Sequence, residues 1–368
     1  MVPRPATPGP RNSITDVEGL LVGQWTRLED AALGAGWATG ATVVLATAGA
    51  TASVDVRGGG PGTRETDLLA PHNTVQHVHG IVLAGGSAYG LAAADGVMQW
   101  LEQHGHGLRI GGEGAVVPIV PAAVIFDLPV GAWANRPGAQ AGHEAAAAAA
   151  LDVATGSVGA GTGARAGALK GGVGTASVRL GSGPAEGLTV GALVVANPVG
   201  SVIDPATGSP RGIAAGIGDE FAIPRPTPEQ IAALRELGAK GTVLNTTIGV
   251  VATDAALDKA GCHRLAVAGQ AGLARAIRPS HSPLDGDTIF AVATGTAAPP
   301  PGVTAALPAG IPGGTAVLAE LSAAAASCVE RAVVHAVLAA TPVAGIPAYT
   351  TMVAGTANET GGDHDLQP

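Results

Sequence analysis

The stretch Leu244-Asn245-Thr246-Thr247-Ile248-Gly249-Val250-Val251-Ala252-Thr253-Asp254 decides the reading of this chain. From Thr246 to Thr253 it is apolar and β-branched, and Asn245 and Asp254 bound it. That pattern predicts a buried strand. A glycine-bearing loop, Leu237-Gly238-Ala239-Lys240-Gly241, precedes it. A hydroxyl residue therefore stands at the entrance to a core strand. Threonine is a favoured strand residue, so propensity alone reads Thr246 as structural.

Working outward, Ser282-Pro283-Leu284-Asp285-Gly286-Asp287-Thr288 sets two carboxylates about a glycine, just before a second strand at 288–293. Asp and Gly favour turns for backbone reasons, and the same pair would also orient a catalytic group or bind a cation. Upstream, residues 159–172 are glycine-rich and hold Lys170. This is not a phosphate-binding loop, because Lys170 is followed by Gly171 and not by Ser or Thr. It also does not cleanly follow a strand and open a helix, as a dinucleotide site requires. Such backbone does permit close approach of a substrate or another strand. A fourth segment, Arg57-Gly58-Gly59-Gly60-Pro61-Gly62-Thr63-Arg64-Glu65-Thr66-Asp67, would bind a charged ligand or tie loops together, with nothing in the sequence to choose.

Further strands are expected at 41–45, 52–56, 80–83 and 188–196. Helices are expected at 88–103, 139–153, 255–277 and 316–340. Thr227-Pro228-Glu229-Gln230 opens another helix, with Thr as the cap, Pro first and Gln three after the cap. Strands and helices alternate without a strict βαβ rhythm, so a layered α/β sandwich fits better than a barrel. Residues 1–12 and 356–368 read as loose ends, 200–228 as a surface loop, and 1–368 as a single domain.

Composition narrows the classes. Hydrophobic residues are 46% and charged residues 13%, which describes a core-forming chain and not a disordered one. Aromatics are only 2% against 57 glycines, so the core must be Ala, Val, Leu and Ile in closely packed elements. A net charge of −9 without any Lys/Arg run argues against nucleic acid as a partner. Cys262 and Cys328 lack metal or redox spacing and read as buried thiols in a reducing compartment. The amino end has no apolar signal segment. The apolar stretch 114–126 holds two prolines, ends at Asp127, and is too short to span a bilayer. A cytoplasmic protein with no membrane partner is expected. His77-Val78-His79 and His104-Gly105-His106 have spacing that would suit zinc on a strand, but no His-x-x-x-His or acidic partner supports a metal. Solvated or core histidines are the favoured reading.

Taken together, 12–17, 57–66, 83–91, 169–177, 245–254 and 284–290 resemble the DmpA-type aminopeptidases. That family includes the L-aminopeptidase/D-esterases, β-peptidyl aminopeptidases and nylon-oligomer hydrolases; this chain looks like its actinobacterial, mycobacterial-like branch. The resemblance runs from about Ser13 to about Met352. It implies a layered αββα-type sandwich of the DmpA/ornithine-acetyltransferase-like N-terminal-nucleophile kind. It also implies a hydrolase of peptide or amide bonds that cuts its own chain to free a nucleophile. Counting back eight residues from Asp254 makes that nucleophile Thr246 and the scissile bond Asn245–Thr246, giving fragments of 245 and 368 − 245 = 123 residues. Position by position, Lys170, Asn197, Asp285 and Asp287 join the site. Asn197 is expected to donate to the oxyanion. The two aspartates are expected to hold Lys170 and the nucleophile, or to receive a substrate's amino group. Phe126 stands where family members often carry a tyrosine hydroxyl. The resemblance implies small amino-terminated substrates, a homotetramer of processed units, and no metal or cofactor. An acyltransferase of the ornithine acetyltransferase type is the alternative.

Overall fold

The computed structural model describes residues 6–112, 114–237, 244–298, 308 and 310–354. Most of the loop expected at 237–241, and the carboxyl end expected at 356–368, lie outside these residues. In chain order the strands are β1 (Leu21–Leu28), β2 (Ala38–Val56), β3 (Thr63–Arg64), β4 (His77–Ala84), β5 (Leu108–Arg109), β6 (Val116–Val117), β7 (Ala122–Val124), β8 (Arg165–Ala166), β9 (Leu169–Lys170), β10 (Gly172–Arg179), β11 (Thr189–Ala196), β12 (Ile248–Thr253) and β13 (Thr288–Ala293). The helices are α1 (Ala93–Gln103), α2 (Ala139–Ala147), α3 (Pro228–Glu236), α4 (Lys259–Ala276), α5 (Thr315–Leu338) and α6 (Tyr349–Val353).

Nine strands join in one mixed sheet, ordered β10-β11-β12-β13-β2-β4-β7-β3, with β1 also on β2. The 19-residue β2 is its spine. Residues Ala38 to Leu45 pair with β1, and Thr51 to Val56 pair with β13. Between them the register against β4 shifts from Leu45 to Ala50, and Gly49 sits at φ +87°. An irregularity of this kind bends a strand. The sheet accordingly folds over, and its halves face one another across a core. Val22, Val44, Ile81 and Ile125 come from one half, and Leu193, Ile248, Val250 and Phe290 from the other. Helices α4 and α5 cover the outer face of β10–β13, through Leu265, Leu273, Val329 and Val333 against Val190, Val251 and Ile289. Helices α1 and α2 cover the other outer face, through Val97, Leu101 and Ala145 against Val43 and Val82. The result is the expected αββα layering, with β11, β12 and β13 buried at every position. This is why their sequences are unbroken apolar runs and not alternating ones.

Other boundaries moved for local reasons. The strands expected at 41–45 and 52–56 are one strand. The helix expected from 255 begins at Lys259, because Asp258 caps it by accepting from Gly261 N–H at 2.7 Å. The helix expected to reach 153 ends at Ala147, where the chain turns to bridge Val22 through Ala150. The capping box at Thr227 and Gln230 formed as read. Helix α5 is long and apolar enough by composition to cross a membrane, yet it lies packed on the sheet beside α4. The amino-terminal segment expected to be loose is anchored from Thr7, which exchanges backbone bonds with Arg179. Asn12 joins a buried cluster: its Oδ1 accepts from Arg331 Nη2 at 2.7 Å, and Arg331 forks onto Glu220 at 2.7 and 2.8 Å. Glu220 comes from the segment read as a surface loop, and His335 also reaches it at 2.7 Å. Burial would raise the Glu220 carboxyl, but bonds from His335 and Arg331 hold it well below the usual range.

Close packing makes some glycines irreplaceable. A Cβ on Gly174 in β10 would stand 2.0 Å from the Ala332 carbonyl oxygen of α5, backbone against backbone. Gly174→Ala must push helix and strand apart and should lose about 1–3 kcal/mol of stability. Chemical denaturation checks this; a midpoint equal to that of the parent would contradict the packing.

Candidate active site

Val195 of β11 pairs with Ile248 of β12. Two residues further, the same register brings Asn197 to Thr246, whose N–H donates to the Asn197 carbonyl at 3.1 Å. On the opposite side, Asn245 N–H donates to Leu284 O at 3.2 Å and Gly286 N–H to Asn245 O at 3.1 Å. Thr246 thus precedes β12 and does not lie within it, held in extended form from both sides. Its hydroxyl donates to the carbonyl oxygen of Asn245, so it sits against the peptide group expected to break. The neighbouring Thr247 hydroxyl is buried and makes no hydrogen bond among the described residues.

The Asp-Gly-Asp segment closes over this point. A Cβ on Gly286 would stand 2.6 Å from Thr246 Oγ1, so only glycine leaves the hydroxyl its room. Asp285 accepts from Val199 N–H at 3.1 Å and from Ser282 Oγ at 2.6 Å. Asp287 accepts from Thr247 N–H at 2.8 Å on one oxygen and from His281 on the other. Both carboxylates are buried. The glycine loop after Arg57 is stitched beneath them: Arg57 N–H donates to Asp287 O at 2.9 Å and Gly60 N–H to Asp285 O at 2.8 Å. A Cβ on Gly58 would collide with Asp287 N at 2.3 Å. Of the two readings left open for this loop, tying loops together is the one its backbone performs. Its Arg57 and Arg64 heads turn to Asp55 and Asp95.

Lys170 corrects an expectation. Asp285 and Asp287 do not hold it, because their oxygens are committed to backbone amides, Ser282 and His281. The ammonium donates instead to Gly161 O at 2.7 Å and Gly171 O at 2.8 Å, fully buried. Burial lowers its pKa to about 7, opposed by the charge of Asp127. Asp127 is also buried, and desolvation raises it to about 6 against bonds from Gly86 N–H (2.6 Å) and Thr39 Oγ1 (2.7 Å). In the sequence Asp127 marked only the end of an apolar stretch, and nothing there tied it to Lys170. The β8–β9 hairpin links Lys170 to Asn197, since Arg165 N–H donates to Asn197 Oδ1 at 2.8 Å. That bond fixes the amide so that Nδ2 is its donor end, 3.5 Å from the Phe126 carbonyl. Phe126 itself stacks edge-on against Trp133 at 6.2 Å.

The histidine pairs stand apart from these contacts. His79 is buried in β4 and accepts from Ile119 N–H at 3.2 Å, while His104 and His106 stack on Trp100. Among the described residues, no three His, Cys, Asp or Glu side chains gather as a metal site. Cys262 and Cys328 are buried thiols, and desolvation pushes both up to about 12.

The αββα layering is that of the N-terminal-nucleophile hydrolase fold. An L-aminopeptidase D-Ala-esterase/amidase from Ochrobactrum anthropi, described as a variant of that fold, superposes with a TM-score of 0.66 at 23% identity, over 92% of this chain and 89% of that one. A Burkholderia sp. beta-aminopeptidase does so with a TM-score of 0.68 at 27% identity, over 95% and 93%. The chain belongs to peptidase family S58, whose model matches residues 12–351, and it is a hydrolase of peptide or amide bonds. An uncharacterized aminopeptidase of Mycobacterium tuberculosis is 58% identical over 349 residues, covering 94% of this chain and 98% of that one. A 6-aminohexanoate-oligomer endohydrolase of Paenarthrobacter ureafaciens is 34% identical over 274 residues, 70% and 69% of the two chains.

The buried lysine gives a direct test. Its charged form is disfavoured by burial and favoured by Asp127, so removing that anion must lower its pKa further. A 13C-lysine NMR titration should find one side chain with a midpoint of about 7 that moves down in Asp127→Asn. A set of lysines all titrating at their ordinary value would refute the environment described.

Proposed function

We propose that this enzyme is an autoprocessed aminopeptidase or amidase whose nucleophile is Thr246, freed by scission of the Asn245–Thr246 bond. The observation that carries the proposal is the placement of Thr246. Its hydroxyl lies on the Asn245 carbonyl, its nitrogen lies on Asn197 O at 3.1 Å, and Gly286 leaves space beside it. In the intact chain that nitrogen is an amide and no base. Oγ1 attacks the Asn245 carbonyl carbon, the C–N bond breaks, and an ester and a free amine result. Water then hydrolyses the ester, leaving the Asn245 carboxylate and the Thr246 hydroxyl.

In turnover the new α-amine takes the hydroxyl proton; the reference pKa of such an amine, about 7.7–8.0, leaves a useful neutral fraction. The substrate carbonyl is attacked, the amine product leaves with that proton, and water releases the acyl part. Asn197 Nδ2 serves as the oxyanion donor, its other end being held by Arg165 N–H. Phe126 offers no hydroxyl, so the Asn197 amide serves without a tyrosine donor beside it; the Phe126 carbonyl only accepts, 3.5 Å from Nδ2. Lys170 is buried beside this end of β11, where its positive form favours an oxyanion. Asp287 holds the backbone next to the nucleophile. The names of the relatives, aminopeptidase and 6-aminohexanoate-oligomer endohydrolase, favour short amino-terminated amides as substrates.

A denaturing gel of mature protein should show fragments of 245 and 123 residues, while Thr246→Ala should run as one inactive chain of 368 residues. Fully active protein that stays intact would end this reading. Asn197→Ala should lower kcat by on the order of a hundredfold to a thousandfold with little change in KM, the usual effect of deleting an oxyanion donor. A change confined to KM would assign the amide to substrate binding instead.

A further inference from the structure

His281 has no part in the reading above, yet it grips one of that site's carboxylates. Its backbone N–H and its ring Nδ1 both lie 2.9 Å from the same Asp287 oxygen, Oδ2. The other oxygen, Oδ1, accepts from Thr247 N–H at 2.8 Å. A carboxylate oxygen only accepts, so Nδ1 carries the shared proton. The ring's far nitrogen, Nε2, is buried and makes no hydrogen bond among the described residues. Most telling is the backbone: His281 sits at φ +56°, the left-handed region that glycine and asparagine adopt at least cost. Strain of this kind persists where the surroundings over-determine it, often at functional sites. A glycine there would keep the main-chain bond to Oδ2 and relax the turn. What it would lack is the ring.

We infer that His281 is a positioning residue for Thr246, acting through Asp287. The ring supplies a second donor to Oδ2 and so prevents the carboxylate from rotating about its terminal torsion. With that torsion fixed, Oδ1 stays on Thr247 N–H, and the peptide carrying the nucleophile cannot tilt. The chain from ring to nucleophile is short: His281 Nδ1, Asp287, Thr247 N–H, then Thr246. Asp285 does not duplicate it, because its oxygens go to Val199 and Ser282.

The inference rests on Thr246 as nucleophile, and the test separates the two. His281→Gly removes the ring without straining the turn. His281→Asn restores a side-chain amide donor in a residue that accepts the same backbone. Each full-length variant is made in a cell-free system, self-cleavage is followed by gel, and kcat and KM are then measured on aminoacyl p-nitroanilides. The glycine variant should slow self-cleavage and lower kcat by on the order of tenfold to a hundredfold at unchanged KM, as small misplacements of reacting groups do. The asparagine variant should recover most of both rates. Parental rates in the glycine variant, or equal slowing in both variants, would overturn the inference. Thr246→Ala runs alongside: cleavage or turnover there would refute the nucleophile, whatever the histidine variants do.

Discussion

The hydrogen bond from Thr246 N–H to the Asn197 carbonyl extends the register of β11 and β12 two residues past Ile248. Everything at the site depends on that register. Side chains alternate along an extended chain, so a slip of one residue would exchange Thr246 with Thr247. The register is strongly specified because β12 is buried on both faces and paired on both edges. Its apolar residues cannot turn outward, and its backbone groups have no water to bond instead. The fold therefore sets the hydroxyl against one peptide bond through core packing far from the site.

Two kinds of buried charge lie on this scaffold, and they contrast. Arg331, Glu220, Asn12 and His335 form a saturated cluster in which each charge finds a partner in good geometry. It ties the amino-terminal segment and the 200–228 segment to helix α5, and it holds the Glu220 carboxyl ionised. Lys170 and Asp127 are different. Each is bonded to neutral groups, and burial drives both toward their neutral forms. The first arrangement keeps the Glu220 carboxyl charged. The second leaves a lysine poised to exchange a proton close to the end of β11, where the proposed nucleophile also lies.

Much of the architecture could be read from pattern because its strands are buried on both faces and leave unbroken apolar runs. The strand at 288–293 was read to the residue, and the Thr227 cap formed as its spacing required. Continuity was harder: β2 looked like two strands because its bend at Gly49 carries turn residues. Strand β10 was hidden by glycines that are there to admit α5. At the site, Thr246, Lys170, Asn197, Asp285 and Asp287 were named through family resemblance, and the structure gathers them at one end of β11 and β12. Their pairings were not legible. Which oxygen meets which amide depends on loops meeting across long sequence separations, as Gly60 meets Asp285. Asp127 and His281 carry no local signal at all, since a lone acid after an apolar run and a lone histidine between two serines are ordinary features.

The position of the Asn245–Thr246 bond within the sheet bears on how this molecule is made. A cut there falls between β11 and β12, in the middle of one continuous layer. The piece ending at Asn245 would hold β11 and β2, and the piece beginning at Thr246 would hold β12 and β13, which lie between them. Neither piece has a closed sheet of its own. The two would stay together through interleaved strands, and no covalent connection between α3 and β12 would hold them near one another. Folding would then be an event of the uncut chain alone. A molecule melted after scission would face a bimolecular reassembly of two fragments with open edges, in which aggregation competes. The durability of such an enzyme is set by how slowly it opens, not by how readily it re-forms.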